Sequence, residues 1–414
     1  MIEPRGHLTL DEALLSDVVA RVADDQRERT RLFPGDRTDR QPVHTCYVPA
    51  DQATDDLPAE WGAAAVAALE EHAPTPAALA GIVGLPAEIA GAVHERVRAK
   101  LVNEPVEDVR IDFEDGYGVR DDDAEDVDAL RAAHLLSRWN LPNAGIRMKS
   151  FHTVALAARG LRTLDLVLTN LTRSPEGVGL TFPKVTSADQ VSAFADVLDV
   201  LERRLDSARG ALRFEVQIET TQAVIDHAGR VAIPGLIAAG RGRVCGLHFG
   251  TYDYTAACGL GAAQQHLAHS ACDFARHIMQ VSAAGTGVRL SDGSTNVLPV
   301  GDSGSVREGW RTHYRLVRRS LEHGYFQGWD LHPVQLVTRY AAVFAHHLES
   351  AEADGRRLAA YLARAGGSVL DEPATAAGLA LSLRRGVDCG ALDAEEVRRF
   401  SGLRVDELTA LVLR

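Results

Sequence analysis

The sequence predicts a (β/α)8 barrel with extra N-terminal helices and a helical C-terminal extension. Short apolar segments bounded by Gly or Pro alternate with helical patterns along most of the chain. In the middle of the chain, successive strand segments begin about 32 to 36 residues apart. This interval is typical of one βα unit, and eight such units close a barrel. At 414 residues the chain has room for that barrel and an appendage.

Eight segments have the length and apolar content of strands. Two of the intervals between them, before the second strand and before the seventh, are long enough to hold added helices. The predicted strands are 43–48, 108–114, 144–149, 178–184, 212–219, 244–250, 296–301 and 326–331.

Helices are predicted where apolar residues recur at helical spacing. The first runs from Leu14 to Val22 after a Thr9-x-x-Glu12 capping box. Two more, near 75–80 and 86–101, precede the second strand, and another covers 187–208. The pattern is again helical from about residue 340 to the C-terminus. We therefore expect a barrel over 1–340 and a helical extension or lid over 341–414.

Composition and charge exclude several classes of protein. The formal net charge of −13, without a dense Lys/Arg run, argues against nucleic acid as a partner. The N-terminus lacks a signal-peptide pattern, and no apolar stretch is long enough to span a bilayer. Five widely spaced cysteines without a C-x-x-C pair indicate reduced thiols rather than disulfides or zinc. We expect a cytoplasmic protein that binds no membrane.

The predicted strands alternate apolar and polar residues. In 213–219, Glu215, Gln217 and Glu219 alternate with apolar residues, and Arg147 lies between apolar neighbours on the third strand. On the eighth strand, the same rule places Asp330 on the polar face and Trp329 on the apolar face. In a barrel the apolar face packs on the helices, so the polar face points inward. Most polar groups lie near the carboxyl ends of strands, where barrel active sites are found.

Glu219 and Asp253 form a candidate metal site. Each follows one of two adjacent predicted strands, and such strands lie about 5 Å apart in a sheet. Two carboxylates brought together repel, so one is protonated unless a cation lies between them. Mg²⁺ suits this pair because it keeps several ligands that do not come from the protein. Either residue taken alone is equally consistent with a solvated strand end.

A second acidic cluster, Asp112, Glu114 and Asp115, ends the second strand. It either orients metal-bound water, accepts hydrogen bonds from Arg147, or forms a salt-bridged strand end. Arg147 has a fork geometry that suits a carboxylate or an enolate oxygen, although it could merely neutralise the cluster.

Two further residues are candidates for substrate binding. Lys184 could hold the same anion as Arg147, or it too could neutralise the acidic cluster. His332 ends the eighth strand, where it either binds substrate or has a structural role.

Seven motifs in one order resemble the HpcH/HpaI aldolase, citrate lyase beta-subunit and malyl-CoA lyase superfamily, with features similar to malate synthase. They cover roughly residues 43–375. The motifs are Tyr47-Val48-Pro49, Ile111–Asp115, Ile146-Arg147, Phe182-Pro183-Lys184-Val185, Ile218-Glu219-Thr220, Phe249–Asp253 and Leu331-His332-Pro333-x-Gln335.

The resemblance implies a Mg²⁺ ion held by Glu219 and Asp253 that chelates a 2-oxo acid such as glyoxylate, pyruvate or oxaloacetate. Arg147 would stabilise the enolate. In some members an aspartate of a C-terminal lid handles the proton, and residues 366–373 resemble that lid, which makes Asp371 the acid/base candidate. The resemblance also implies a homo-oligomer.

The resulting prediction is a carbon–carbon lyase, or the reverse condensing enzyme, acting on a small carboxylate or oxo acid. Extra helices and the Thr251–Tyr254 segment depart from the simple lyases, so a CoA thioester substrate and the reaction direction stay open. Two alternatives are a malyl-CoA-type thioesterase on the same site and a catalytically silent barrel that binds partners. Buried Arg147, Glu219 and Asp253 argue against the silent barrel, because buried charges are costly.

Overall fold

The computed structural model describes residues 9–363 and 372–412 and contains eight strands in that part of the chain. The strands are β1 (His44–Pro49), β2 (Asp108–Asp112), β3 (Asn143–Arg147), β4 (Val178–Phe182), β5 (Phe214–Ile218), β6 (Val244–Phe249), β7 (Arg289–Ser291) and β8 (Gly328–Asp330). All neighbours pair in parallel in the order β7-β6-β5-β4-β3-β2-β1-β8. A parallel bridge between Ser291 and Gln327 brings β7 to the β8 segment. The predicted (β/α)8 barrel is confirmed.

Helices alternate with these strands and continue beyond the last one. They are α1 (Glu12–Leu32), α2 (Leu57–His72), α3 (Pro76–Val83), α4 (Ala87–Asn103), α5 (Asp122–Arg138), α6 (Val154–Thr169), α7 (Ala188–Arg204), α8 (Thr221–Val224), α9 (Ile233–Ala239), α10 (Thr251–Ala257), α11 (Ser270–Ala283), α12 (Ser303–Glu322), α13 (Gln335–Leu362), α14 (Pro373–Asp388), α15 (Ala394–Ser401) and α16 (Val405–Val412). Three helices precede β2: α3 and α4 are the two that were predicted, and α2 was not predicted.

The first helix is present, but its predicted cap is wrong. Asp11, not Thr9, accepts the hydrogen bond from the Leu14 N–H, at 2.7 Å. An Asp side chain directly before the helix satisfies one of the free N–H groups of its first turn. No residue of α1 is buried, so its apolar stripe does not contribute to the barrel core.

The C-terminal helices form a second apolar cluster beside the barrel core. Leu358, Leu383, Val397 and Leu408 are buried in this cluster. Helix α13 runs without interruption through residue 340, so the expected boundary falls inside a helix. The division into 1–340 and 341–414 stays a prediction.

The seventh strand was predicted in the wrong place. Residues 296–301 are outside any strand, and β7 is the three-residue segment Arg289–Ser291. Val297, Leu298 and Val300 are exposed, and Pro299 has no N–H to donate to a strand ladder. The true strand is too short, and its ends too polar, to produce a clear apolar pattern.

The predicted orientation of β8 was also wrong. Trp329 packs on Tyr47 of β1 inside the barrel, with ring centroids 4.6 Å apart. Asp330 faces outward and contacts Arg339 of α13 at 3.0 Å and His313 of α12 at 3.1 Å. These partners, together with His44, supply the charge and hydrogen bonds that let a carboxylate be buried behind the strand.

An ion pair crosses the barrel interior. Arg110 of β2 reaches Glu215 of β5 at 2.6 Å, although β3 and β4 lie between these strands in the sheet. Glycines on the two intervening strands make room: a Cβ on Gly179 would lie 2.5 Å from the Arg110 guanidinium carbon, and one on Gly145 would lie 1.8 Å from the Gly179 carbonyl oxygen. The inward polar rows of β2 and β5 are therefore correctly predicted.

In the part of the chain that the structure describes, no single helix is both long and apolar enough to cross a membrane. The bent pair α3 and α4, which meet at 109°, passes that test together by length and composition alone.

Candidate active site

Five charged residues meet at the carboxyl ends of the barrel strands. The Lys184 ammonium, two residues after β4, lies 2.7 Å from Glu114 Oε1 and 2.8 Å from Asp115 Oδ2. It also lies 3.3 Å from Oδ2 of Asp253, in the first turn of α10. The Lys184 N–H donates to Glu219 Oε1, directly after β5, at 2.7 Å. The structure thus brings the predicted metal pair, the predicted anion-binding lysine and two of the three acidic neighbours together.

Glu219 is held in an environment that disfavours its charge. It is 2% exposed, and burial raises its pKa to about 8. The positive charge of Lys184 opposes this shift, while the negative charges of Glu114 and Asp253 add to it. A cation placed between the carboxylates would remove that penalty.

The main chain next to Glu219 leaves no spare room. A Cβ on Gly250, at the start of α10, would lie 2.3 Å from both Cβ and Oε2 of Glu219. The glycine is required because the β6–α10 connection passes directly over the glutamate side chain. Both candidate metal ligands are therefore positioned by the same tight connection.

Glu114 shares this environment. Burial raises its pKa to about 7, against the opposing positive charges of Arg147 and Lys184. Asp115, which is more exposed, accepts from Lys184 through both oxygens, at 2.9 and 2.8 Å. Glu114 and Asp115 are therefore both paired with Lys184.

Arg147 and Asp112 form a two-pronged pair on adjacent strands. Arg147 Nε and Nη2 donate to Asp112 Oδ1 and Oδ2, each at 2.6 Å. The third guanidinium nitrogen, Nη1, lies 3.6 Å from Glu114 Oε2. The Asp112 carboxylate raises the pKa of Arg147 against the effect of its burial, so the guanidinium stays charged. For Asp112, two of the alternatives agree with this pair, namely the hydrogen bonds from Arg147 and a salt-bridged strand end.

Two aromatic rings that were not predicted as site residues support Arg147. Its guanidinium carbon lies 4.8 Å from the ring centroid of Tyr47 and 6.0 Å from that of Trp329. Both rings come from the inward faces of β1 and β8 and favour a cation above them. Tyr47 belongs to the first sequence motif, whereas the inward face of Trp329 required the tertiary structure.

Gln217 was also missed as a site residue. It is fully buried on the inward face of β5, and neither its amide oxygen nor its amide nitrogen has a hydrogen-bond partner in the described residues. Its position between Glu215 and Glu219 in the alternating row was the signal that could have found it. A buried amide without partners is uncommon and is typical of sites that receive a polar ligand.

His332 and Asp371 are not placed in this cluster. His332 is half-buried after β8, where its Nδ1 accepts from the Val334 N–H at 3.3 Å, and burial lowers its pKa. None of the described carboxylates lies within 4.0 Å of its ring nitrogens. Asp371 lies outside the described residues, so its role stays a prediction.

The oxygen-donor set fits Mg²⁺ in its chemistry. Within the described ranges, no group of three or more His, Cys, Asp or Glu residues is arranged to hold a metal by itself. Mg²⁺ is commonly held by one or two carboxylates, with water and substrate oxygens as its other ligands. Glu219 and Asp253 are the two carboxylates that would hold it. Lys184 would then offset part of the charge of Glu114 and Asp115.

The fold and this cluster define a (β/α)8-barrel protein whose buried charges lie at the carboxyl end of the barrel, where this architecture places catalysis. Residues 22–414 match a family described as a domain of unknown function, DUF6986, and the chain belongs to that family. No curated protein matches the sequence.

Several solved structures share the fold. A citrate lyase from Burkholderia xenovorans LB400 is similar with a TM-score of 0.56 and 18% identity, over 90% of this chain and 97% of that one. A magnesium/glyoxylate complex of Haloferax volcanii malate synthase has a TM-score of 0.51 and 13% identity, over 91% and 99%. The same malate synthase, as a native structure at 3 mM glyoxylate, has a TM-score of 0.50 and 16% identity, over 92% and 99%. At these identities the similarity shows the barrel fold with its extensions.

Proposed function

We propose that this protein is a Mg²⁺-dependent enzyme that makes or breaks a carbon–carbon bond next to a carboxylate. The observation that carries the proposal is the buried Glu219, which has a raised pKa and lies with Asp253 and Lys184 at the carboxyl ends of the strands. Magnesium and glyoxylate, the ligands in the complex of one structural neighbour, are the pair that such a site would take.

The substrate class follows from the charges. A small 2-oxo acid, or a hydroxy acid that yields one, brings a carboxylate and a second oxygen that can share a metal with Glu219 and Asp253. The other reactant, which forms the enolate, would be a CoA thioester. The net charge of −13 makes a local cation necessary for any such anion to bind.

Mg²⁺, when bound, would supply Lewis-acid polarisation of the substrate oxygens. Arg147 would stabilise the developing enolate through Nη1, since its other two nitrogens are occupied by Asp112. In cleavage, a general base takes the proton of the substrate hydroxyl as the new carbonyl forms, and the electrons of the broken carbon–carbon bond move into the enolate. The same group then returns that proton to the enolate carbon. We propose Asp371 of the C-terminal extension for that proton transfer.

Lys184 would offset part of the negative charge of Glu114 and Asp115, which lowers the repulsion of an anionic substrate. His332 is retained as a proposed substrate contact from the end of β8. A homo-oligomer and a cytoplasmic location are further proposals that come from the sequence.

Calorimetric titration with MgCl2 tests the metal. Glu219→Gln should weaken Mg²⁺ binding at least tenfold, because it removes a ligand charge and keeps the shape of the side chain. Glu70→Gln is the matched control, since Glu70 is exposed on α2 and pairs with Arg98, at 3.1 Å. Unchanged affinity in Glu219→Gln would reject the metal site.

Product analysis tests the reaction. The protein is incubated with Mg²⁺ and a panel of hydroxy acids and acyl-CoA esters, and released glyoxylate, pyruvate and oxaloacetate are measured. An oxo acid that appears in the wild type and not in Arg147→Gln supports the lyase. Free CoA without an oxo acid would indicate a thioesterase, and binding without any product would indicate a silent barrel.

A further inference from the structure

A cavity of about 260 Å³ lies at the end of the barrel opposite to Glu219. Residues that precede β1 or lead into β7 and β8 line it, including 36–39 and Phe326, and residues of α14 and α16 complete the lining. In a barrel of parallel strands these are the amino-terminal ends. The cavity is therefore separate from the candidate active site.

Three of the arginines that line the cavity have carboxylate partners. Arg37 Nε donates to Asp39 Oδ1 at 2.9 Å, and Arg289 Nη2 lies 2.9 Å from the same oxygen. Arg384 Nε donates to Asp388 Oδ1 at 3.0 Å. These side chains are held in place, and two carboxylates offset part of their charge.

Arg385, on the next position of α14, differs from them. Its guanidinium carbon lies 3.8 Å from the ring centroid of Phe326, and it makes no hydrogen bond or ion pair with any residue in the described ranges. Burial lowers the pKa of Arg385 to about 10, with the positive charge of Arg289 adding to this effect and Asp36 opposing it. A half-buried guanidinium stacked on an aromatic ring keeps its N–H donors free along its edge.

The charges and side chains that line the cavity restrict the kind of ligand it can bind. Four arginines and three aspartates line the cavity, so its walls carry one net positive charge in a chain of net charge −13. One part of the remaining wall is apolar, with Ala283, Ala284, Val288 and Leu290, and the rest includes Thr38, Gln41, Gln280 and Thr409. The complementary ligand has one anionic group and a short apolar body.

We propose that the cavity at Arg385 and Phe326 is a second binding site, which takes a small organic oxyanion, either a carboxylate or a phosphate monoester. The oxyanion would accept from Arg385 in the two-pronged geometry that guanidinium groups favour. Its apolar body would contact the alanine and valine side chains that lead into β7. Because α14 and the β1 approach already meet through Arg384 Nη2 and the Thr38 carbonyl oxygen, at 2.9 Å, the ligand would strengthen the contact between the C-terminal helices and the barrel.

The test uses the full chain and four probes: butyrate, butyl phosphate, inorganic phosphate and the neutral butyramide. Saturable binding is followed by ligand-observed NMR titration. Butyrate or butyl phosphate should bind at least tenfold more tightly than butyramide, and which of the two is tighter distinguishes a carboxylate ligand from a phosphate ligand. If inorganic phosphate binds as tightly as butyl phosphate, the apolar wall does not contribute to binding and the proposal is overturned.

Variants locate the binding event. Arg385→Gln should weaken it at least tenfold, Arg385→Lys should retain most of it, and Arg98→Gln, an exposed arginine of α4, should leave it unchanged. If Arg147→Gln loses binding and Arg385→Gln keeps it, the probe binds at the candidate active site and the second site is refuted. Hydrogen exchange of the wild type gives a measurement that needs no variant: butyrate or butyl phosphate should slow exchange in α14 and residues 287–290. Unchanged exchange there at saturation would also refute it.

Discussion

Lys184 and Glu219 are joined through the main chain: the Lys184 N–H donates to Glu219 Oε1 at 2.7 Å, while the ammonium lies against other carboxylates. Lys184 has a φ of 50°, a left-handed conformation that is uncommon for a residue with a side chain. Such strain is typical of functional sites. It lets one residue fix the orientation of Glu219 and place a positive charge beside Asp253 at the same time.

Gly250→Ala should disturb the candidate metal site without unfolding the barrel. The new Cβ would lie 2.3 Å from Cβ and Oε2 of Glu219, so the carboxylate must move. We expect Mg²⁺ affinity to fall at least tenfold by calorimetric titration. Gly91→Ala is the control, because a Cβ there, on an exposed position of α4, meets nothing within 4 Å. Wild-type affinity in Gly250→Ala would show that Glu219 does not bind the metal.

Asp112→Asn should destabilise the fold by about 3 to 5 kcal/mol, because it leaves the buried Arg147 without its two-pronged carboxylate partner. The free energy of unfolding is measured by urea denaturation at neutral pH. Asp406→Asn removes a partner from Arg404 in an exposed pair and should leave the free energy of unfolding nearly unchanged. Equal losses in the two variants would contradict the assignment of Arg147 and Asp112 as a buried pair.

Gly179→Ala should cost about 3 kcal/mol of unfolding free energy. Its Cβ would lie 2.5 Å from the guanidinium carbon of Arg110 and would displace the ion pair that Arg110 makes with Glu215 across the barrel. Gly235→Ala in α9 is the control for a Gly-to-Ala change without a steric clash, because a Cβ there meets nothing within 4 Å. The Tm of each variant is measured by thermal denaturation. Equal Tm values would show that a Cβ at position 179 does not displace Arg110.

Glu202 should contribute stability that is lost in acid. Burial alone would raise its pKa, but hydrogen bonds from Arg243 and from the N–H groups of Leu212 and Gly210 hold the pKa at about 2. A folded-state pKa below the ordinary value of 4.5 gives stability that is present above about pH 4.5 and lost as pH falls toward 2.

Glu202→Gln measures that contribution. The wild type should exceed the variant by about 2 to 3 kcal/mol in unfolding free energy at pH 6, and the difference should shrink steadily between pH 4.5 and pH 2.5. Denaturation of both proteins across this range is the measurement. A difference that does not depend on pH would show that the carboxylate charge is not the source.

Much of the fold was predictable because its signals are local. The helix expected over 187–208 is α7, where Ser187 accepts from the Gln190 N–H at 3.3 Å and Val191, Phe194 and Leu198 are buried. The alternation in β5 likewise predicted which residues face inward. In both cases the period of the side chains along the backbone matches the period of burial.

The two errors in the strands have a different origin. A three-residue strand such as β7 is held in place by its neighbour β6, so its own residues need no apolar pattern. Which face of β8 points outward depends on Arg339 of α13 and His313 of α12, because both contact Asp330. Contacts of this kind leave no trace in the local pattern.

The sequence by itself determined the alternation of strands and helices, with β7 misplaced, and the inward polar rows of β2 and β5. It also led to the choice of Glu219, Asp253, Arg147 and Lys184 as candidates. Only the tertiary structure decided that Arg147 is bound by Asp112, that Trp329 lies under it, and that Lys184 faces three carboxylates. The physical reason is that periodicity depends on neighbours along the chain, whereas a buried charge is stable only where groups from other strands neutralise it.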